Sequence, residues 1–174
     1  VPPRPALATG RVRYVGDQVA FVVADSQANA EEAAERVMID YDALPAVVDG
    51  YAALEDGAPQ VWDSALGNLI FHFPKGDKAV TDAAFASAAH VVELDIVNNK
   101  ISAAPMEPRS GIAEYDAARD TYKLTCSAQG LHGIRGPLAK TILKIPEENL
   151  EIVAPDVGGG FGLKNFIYPE WVLL

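Results

Sequence analysis

The sequence is poor in cysteine, in basic residues and in long apolar runs. Its single cysteine, Cys126, cannot form an intrachain disulfide, nor can it alone hold an iron–sulfur cluster or a structural zinc. A net charge of -10 argues against binding to nucleic acids or to anionic membrane surfaces, which need basic patches. No apolar run approaches the roughly 18 residues of a spanning helix, so we expect no membrane insertion. One cysteine fits the reducing cytoplasm, which is the compartment we predict.

The remaining composition suits a packed protein. Hydrophobic residues make up 49% of the 174 positions, enough for one domain, or for a small domain with part of another. The sequence begins at Val1 without a methionine and stops at Leu174 inside an apolar run. Because natural termini are seldom bare hydrophobic stretches, we expect a piece of a longer polypeptide.

Hydrophobic patterns in the first third predict a small α+β unit. A helix is predicted over residues 27–36, with Ser26 as its N-cap. The stretch from 49 to 78 is rich in glycine, aspartate and proline, so we expect it to connect two units with little regular structure. Strands are predicted at residues 18–24, 37–41 and 44–48.

The remainder predicts a second unit of mixed strands and helices. Residues 90–98 alternate apolar and polar side chains, which is typical of a strand. Two β-rich runs on either side of residues 116–120 predict a hairpin. In chain order, the predicted elements are a helix at 79–88, the strand at 90–98, strands at 111–115 and 121–127, a helix at 133–143 and a strand at 150–154.

A glycine-dense loop, residues 156–164, follows the last predicted strand; we call it the glycine loop. Its sequence is Asp156-Val157-Gly158-Gly159-Gly160-Phe161-Gly162-Leu163-Lys164. Glycines let the backbone adopt positive φ, and bare N–H groups can donate to oxygen ligands. Leu163 breaks the dinucleotide fingerprint, and Asn165 after Lys164 breaks the P-loop pattern. A tight turn between a strand and a helix is nearly as good an explanation of these glycines by themselves.

Two further segments accompany the glycine loop: Pro105-Met106-Glu107-Pro108-Arg109 and Gln129-Gly130-Leu131-His132. In this order, the three segments resemble the molybdenum hydroxylase family, which includes xanthine dehydrogenase, aldehyde oxidase and carbon monoxide dehydrogenase. Residues 15–20 and 39–47 are similar to the a/b hammerhead domain of that family. The resemblance covers nearly the whole chain and is strongest to large subunits of the carbon monoxide dehydrogenase type.

The resemblance implies an α+β fold, in which part of an a/b hammerhead domain precedes the first part of a molybdopterin-binding domain. We place the hammerhead-like domain at residues 1–57 and a connecting segment at 58–78. The start of the molybdopterin-binding domain is then predicted at 79–174.

The resemblance also implies site residues. Gln129 matches a glutamine that hydrogen-bonds an oxygen of the molybdenum centre, a role for which a neutral amide is suited. Gly159, Gly160, Phe161 and Gly162 match the loop that lies against the metal oxo group and the pterin. No residue here is expected to ligate the metal directly, and the catalytic glutamate of the family is expected outside this chain. Without the resemblance, Gln129 would be interpreted as a surface or strand-end glutamine.

Other candidate residues have structural interpretations. The prolines of the 105–109 segment fix its backbone, and a pair between Glu107 and Arg109 could anchor it beneath the cofactor. His132 and Arg135 are expected at a solvated helix start, although a contact with a cofactor phosphate or a partner is an alternative. Cys126 is interpreted as a small buried residue. We assign no role to His72 or His90.

The cofactors implied are a molybdenum–molybdopterin, in its cytosine dinucleotide form, with FAD and [2Fe-2S] clusters on partner subunits. The implied partners are a flavin-binding medium subunit and an iron–sulfur small subunit, in a dimer of heterotrimers. The substrate would be a small molecule: an aldehyde, an N-heterocycle or carbon monoxide, with water as oxygen source. Asn165 replaces a glutamate of purine-oxidising members, which disfavours a purine. Two alternatives remain: a non-catalytic binding or assembly module on this scaffold, and an unrelated nucleotide-binding protein.

Overall fold

The computed structural model describes residues 2–99 and 101–174. Contacts divide them into two compact units. One unit comprises residues 2–3 and 42–101, apart from Lys100, and the other comprises residues 4–41 and 102–174. The mixture of helices with a small sheet agrees with the predicted α+β class. No helix among the described residues combines the length and the apolarity needed to cross a membrane.

Helix α1, Gln27–Glu35, confirms the helix predicted at residues 27–36. It begins after Ser26, whose side chain accepts a hydrogen bond from the Asn29 N–H at 3.2 Å. The strands predicted at 18–24 and 37–41 are wrong for this structure, since neither segment forms a ladder with another described residue. Alternation shows which side chains favour burial, but a strand also needs a neighbour to pair with its backbone.

The unit built from residues 42–101 is held by side-chain hydrogen bonds more than by regular structure. Asn68 accepts at Oδ1 from the Val61 N–H at 2.9 Å, and it donates from Nδ2 to the carbonyls of Ala53 and Pro59. Helix α2, Lys78–Ser87, confirms the helix predicted at residues 79–88, and it starts after Asp77, whose side chain caps it by accepting from the Val80 N–H at 3.0 Å. The strands predicted at 44–48 and 90–98 find no backbone partner among the described residues and are also wrong. Short 3-10 turns of this unit are Ala52–Leu54 and Leu66–Asn68.

The sheet belongs to the other unit and has three strands in the order β1-β2-β3. Strands β1, Gly111–Asp116, and β2, Thr121–Cys126, form the predicted antiparallel hairpin. Asp116 stabilises its turn by accepting at Oδ1 from the Ala118 N–H at 2.9 Å. Strand β3, Leu150–Val153, pairs in parallel with β2, so both strands run toward the segments that carry the candidate site.

Helix α3, Leu131–Pro137, follows β2 and continues as a π-helix, Leu138–Leu143. The prediction of a helix at 133–143 is confirmed, although it begins two residues earlier and widens after Pro137, which lacks a backbone donor. Further 3-10 turns are Glu147–Asn149 and Leu163–Asn165, and helix α4 is Pro169–Leu173. The buried core of this unit comprises Leu124, Cys126, Ala128, Ile134, Leu138, Ala139, Leu150 and Trp171.

Candidate functional site

Gln129 lies at the edge of the core, three residues after the end of strand β2. Ser127 and Ala128 are buried directly after the strand, whereas Gln129 is half-buried. Gly130 has φ 64°, a left-handed conformation that turns the chain into α3. The Gln129 N–H donates to the carbonyl of Lys164 at 2.8 Å. The backbone at Gln129 is therefore held by the residue that ends the glycine loop.

The glycine loop is a compact turn with several left-handed residues. Gly159 and Gly162 have φ 98° and 82°, and Phe161 between them has φ 49° with its ring 74% exposed. The Leu163 N–H donates to the Gly160 carbonyl at 2.9 Å and closes the turn. Positive φ at Gly162 would strain any other residue type, which explains the glycine there.

The side chain of Gln129 rests against this loop. Its Oε1 accepts the N–H of Gly162 at 3.1 Å, across 33 residues of sequence. A Cβ at Gly160 would overlap the Gln129 side chain, closer than Cβ atoms come to any neighbour in proteins. Because Oε1 is occupied by Gly162, the amide NH2 is left as a donor with no partner in the described part of the chain.

The loop backbone carries further free donors. Within residues 2–99 and 101–174, the N–H groups of Gly159, Gly160 and Phe161 make no hydrogen bond. Successive backbone N–H groups in a turn with left-handed residues form a concavity that suits anions and oxygen ligands. Together with the Gln129 amide, these donors fit a group rich in oxygen atoms, such as a molybdenum–pterin.

A second cluster lies beneath the loop, around Glu107. Its Oε2 accepts from the Gly158 N–H at 2.6 Å, from the Ser127 hydroxyl at 2.7 Å and from Lys164 Nζ at 2.8 Å. Lys164 also donates to Ser127, and its side chain is 0% exposed. These donors lower the pKa of Glu107 from its ordinary 4.5 to about 2, Lys164 contributing most, then Ser127 and then Gly158. Glu107 is therefore ionised at neutral pH.

Arg109 does not pair with Glu107, and that predicted pairing is wrong. Its Nε donates to Glu170 at 2.6 Å, and its guanidinium stacks 3.7 Å from the centre of the Tyr168 ring. The Tyr168 hydroxyl donates to the Leu163 carbonyl at 2.5 Å. Arg109 is thus drawn to helix α4, which leaves Lys164 as the cation that pairs with Glu107.

The other candidates are placed outside this cluster. Cys126 is buried in strand β2, and burial raises the pKa of its thiol, which suits the predicted packing role. Arg135 donates to the Glu147 carbonyl at 2.8 and 3.1 Å, a contact within the protein. His132 is exposed at the start of α3.

Asn165, in contrast, lies close to Gln129. It is exposed, and its Oδ1 would lie 3.4 Å from a Cβ built at Gly130, the residue after Gln129.

Sequence reasoning missed two members of the Glu107 cluster. Ser127 was not singled out, and Lys164 entered only as a lysine that failed the P-loop pattern. A signal was available, because Lys164 is the basic residue that closes a glycine loop and Glu107 lies between two prolines. Among the described residues, no group of three or more histidine, cysteine or acidic side chains could hold a metal ion.

Comparison with known proteins identifies the class. Residues 61–174 match the family described as the molybdopterin cofactor-binding domain. Residues 2–45 match the a/b hammerhead domain of aldehyde oxidase and xanthine dehydrogenase. The chain therefore belongs to the molybdopterin cofactor-binding domain family, and the predicted resemblance and order of domains are confirmed. The boundaries predicted at residues 57 and 78 stay predictions.

Individual relatives are similar over almost the whole chain. The large chain of carbon monoxide dehydrogenase from Hydrogenophaga pseudoflava is 34% identical, covering 95% of this chain and 22% of that protein. The crystal structure of quinoline 2-oxidoreductase from Pseudomonas putida 86 has a TM-score of 0.81 at 37% identity, over 97% of this chain and 21% of that one. A crystal structure of Cu,Mo-CO dehydrogenase has a TM-score of 0.85 at 33% identity, over 97% of this chain and 22% of that one. The chain thus spans about a fifth of the length of the relatives it matches.

Proposed function

We propose that this chain contributes part of the molybdenum–pterin site of an oxidoreductase that hydroxylates an aldehyde or an N-heterocycle, or oxidises carbon monoxide. The observation that carries the proposal is the hydrogen bond from the Gly162 N–H to Gln129 Oε1. It joins the two predicted site segments and leaves an amide NH2 beside unpaired loop N–H groups. When bound, the molybdenum cofactor supplies two-electron redox chemistry with water as the oxygen source.

The residues of this chain have distinct tasks in the proposal. Gln129 donates from its amide to an oxygen of the cofactor without adding a charge that would compete with the metal's own ligands. Gly159, Gly160, Phe161 and Gly162 hold the cofactor through main-chain donors and a surface free of Cβ atoms. The catalytic glutamate that removes a proton during hydroxylation is proposed to lie outside residues 1–174.

The remaining assignments follow from the family and belong to the same proposal. We propose the cytosine dinucleotide form of the pterin, with FAD and [2Fe-2S] clusters on a medium and a small subunit that accept the electrons. The assembly is proposed as a dimer of heterotrimers in the cytoplasm. Asn165, in place of the glutamate that the resemblance assigns to purine-oxidising members, leads us to propose a substrate other than a purine.

The test uses the natural protein, expressed with its partner subunits in a host that makes the pterin dinucleotide. We expect stoichiometric molybdenum by plasma mass spectrometry, and dye reduction with at least one of quinoline, benzaldehyde and carbon monoxide. Gln129→Ala should lower turnover by about 10²–10³-fold, the usual effect of losing one positioned donor, at nearly normal metal content. Gln27→Ala, a change on the exposed face of α1, is the matched control and should leave turnover unchanged.

Two results would decide against this function. Protein that is purified without pterin and still turns over these substrates would refute the cofactor assignment. Protein that holds the pterin but turns over none of the three substrates would favour the non-catalytic module instead.

A further inference from the structure

One carboxylate oxygen holds both ends of the glycine loop. Near the start of the loop, the Gly158 N–H donates to Glu107 Oε2 at 2.6 Å, and the Gly158 carbonyl accepts the Glu107 N–H at 3.4 Å. At its end, Lys164 Nζ lies 2.8 Å from the same Oε2. A Cβ at Gly158 would come 2.6 Å from the Glu107 Cβ, so the two backbones are in close contact. The separation of the loop ends is therefore set by Glu107.

The same oxygen reaches the segment that carries Gln129. The Ser127 hydroxyl donates to Glu107 Oε2 at 2.7 Å, two residues before Gln129. On the other side, the carbonyl of Lys164 accepts the Gln129 N–H at 2.8 Å. Gln129 is thus held between two residues that both bind the Glu107 carboxylate.

Electrostatics make this arrangement hard to change. Lys164 is completely buried, and a buried ammonium group is costly unless an anion and further acceptors surround it. Glu107 supplies the anion and Ser127 supplies a second acceptor. No other carboxylate in the described ranges lies within ion-pair distance of Lys164. The position of Lys164, and with it the end of the loop, therefore depends on Glu107.

We propose that Glu107 is a positioning residue: its carboxylate fixes the glycine loop against Ser127, and thereby holds the Gln129 amide with its NH2 free to meet the cofactor. In the part of the chain that the structure describes, Glu107 makes no hydrogen bond to the Gln129 side chain or to the N–H groups of residues 159–161, so it acts through the loop. The inference rests on the proposed function for the role of Gln129, but the loop attachment is independent of it.

The first test is a double-mutant cycle in the holoenzyme, with whichever of quinoline, benzaldehyde and carbon monoxide is turned over fastest. Glu107→Gln is close in shape and removes the charge. Alone, it should lower kcat by about 10–100-fold, because a misplaced positioning group of this kind has effects of that size. In a Gln129→Ala background, the same change should cost less than about threefold, because the amide it positions is gone. An equal loss in both backgrounds would overturn the inference, since a merely structural carboxylate affects both alike.

The second test measures amide hydrogen exchange in the peptide spanning residues 157–164 and needs no turnover. Glu107→Gln should raise the exchange rates there by about tenfold or more, because the loop loses its charged attachment. The matched control is Glu147→Gln, which also removes a carboxylate paired to a lysine, Lys140 at 2.6 Å, but lies away from the loop. If Glu107→Gln does not fold, Glu107→Asp is measured instead and should raise exchange in the same peptide.

The two tests separate the proposals. Unchanged exchange in the 157–164 peptide, in protein that contains pterin, would overturn the role of Glu107 and leave the proposed function standing. Protein without pterin would remove the proposed function, while the exchange experiment would still decide whether Glu107 holds the loop.

Discussion

Gly162 donates its backbone N–H to the side-chain oxygen of Gln129 at 3.1 Å, and this bond fixes which end of the amide remains free. Oε1 is the end held by the loop, so Nε2 is the end left to donate. The orientation of a glutamine amide is otherwise easily reversed. The bond therefore gives the proposed role of Gln129 a direction that variants can test.

Gln129→Glu tests the acceptor and the donor of this amide separately. The carboxylate can still accept the Gly162 N–H, but it has lost the NH2 donor and adds a negative charge. We expect turnover to fall by about 10²–10³-fold, as for other lost donors in active sites, with an unchanged thermal midpoint. Circular dichroism and dye-reduction kinetics measure the two effects. Turnover within a few-fold of the parent protein would show that the NH2 is not used.

Gly160→Ala tests the contact between the loop and Gln129. The new Cβ would overlap the Gln129 side chain, so either the loop or the amide must move. We expect a loss of about 1–3 kcal/mol in the free energy of unfolding, typical of overpacking, together with a fall in turnover. Urea titration measures the first effect.

Gly133→Ala is the matched control for this substitution. Gly133 lies in helix α3, and a Cβ there would meet nothing within 4 Å. Alanine should therefore stabilise the helix, by about 0.5–1 kcal/mol. If both alanine variants had the same stability as the parent protein, the close packing of Gly160 on Gln129 would be contradicted.

The sequence predicted local structure well where the signal was local. The cap at Ser26, the hairpin across residues 116–120 and the strand before the glycine loop are all determined by neighbouring residues. The strand at 90–98 failed because alternation does not reveal a pairing partner, which is set by distant parts of a chain. The three site segments were predictable through resemblance to a family, and the structure brings them together.

The pairing of Glu107 was not predictable from spacing. Arg109 is two residues away and Lys164 is 57 residues away, yet the carboxylate binds the distant lysine. The hydrogen bond of Arg109 to Glu170 and its stacking on Tyr168 draw it to α4 instead. The partner of the Glu107 carboxylate is therefore the cation that the fold buries beside it. Lys164 is buried there because it lies at the end of the glycine loop.

Lys164→Ala should be among the more destabilising single changes in this unit. It empties the space of a fully buried four-carbon stem and leaves Glu107 and Ser127 without their shared donor. We expect the free energy of unfolding to fall by at least about 2 kcal/mol, by analogy with buried apolar side chains of similar size. Lys123→Ala is the control, since its side chain is 45% exposed and pairs with Glu114 at the surface, and it should cost less than about 1 kcal/mol. Equal losses for both lysines would contradict the burial of Lys164.

Acid should lower the free energy of unfolding through protonation of Glu107. The pKa of this carboxyl is lowered from its ordinary 4.5 to about 2 in the folded protein by Lys164, Ser127 and Gly158. A lowered pKa means that the unfolded chain binds the proton more readily. The stabilisation from Glu107 is therefore fully present above about pH 4.5 and is lost as the pH falls toward 2. The groups that face this carboxylate are the Lys164 side chain, the Ser127 hydroxyl and the Gly158 N–H.

Glu107→Gln removes this titration and should flatten the acid limb of the stability curve. Urea unfolding at several pH values between about 2 and 6 would show the parent protein losing stability faster than the variant as the pH falls, because only the parent gains a proton at residue 107 on unfolding. The two curves should run parallel above about pH 5, where the carboxyl is ionised in both the folded and the unfolded states. Curves that stay parallel down to pH 2 would mean that the three donors do not hold Glu107 in solution. That result would also contradict the attachment of the glycine loop through Glu107.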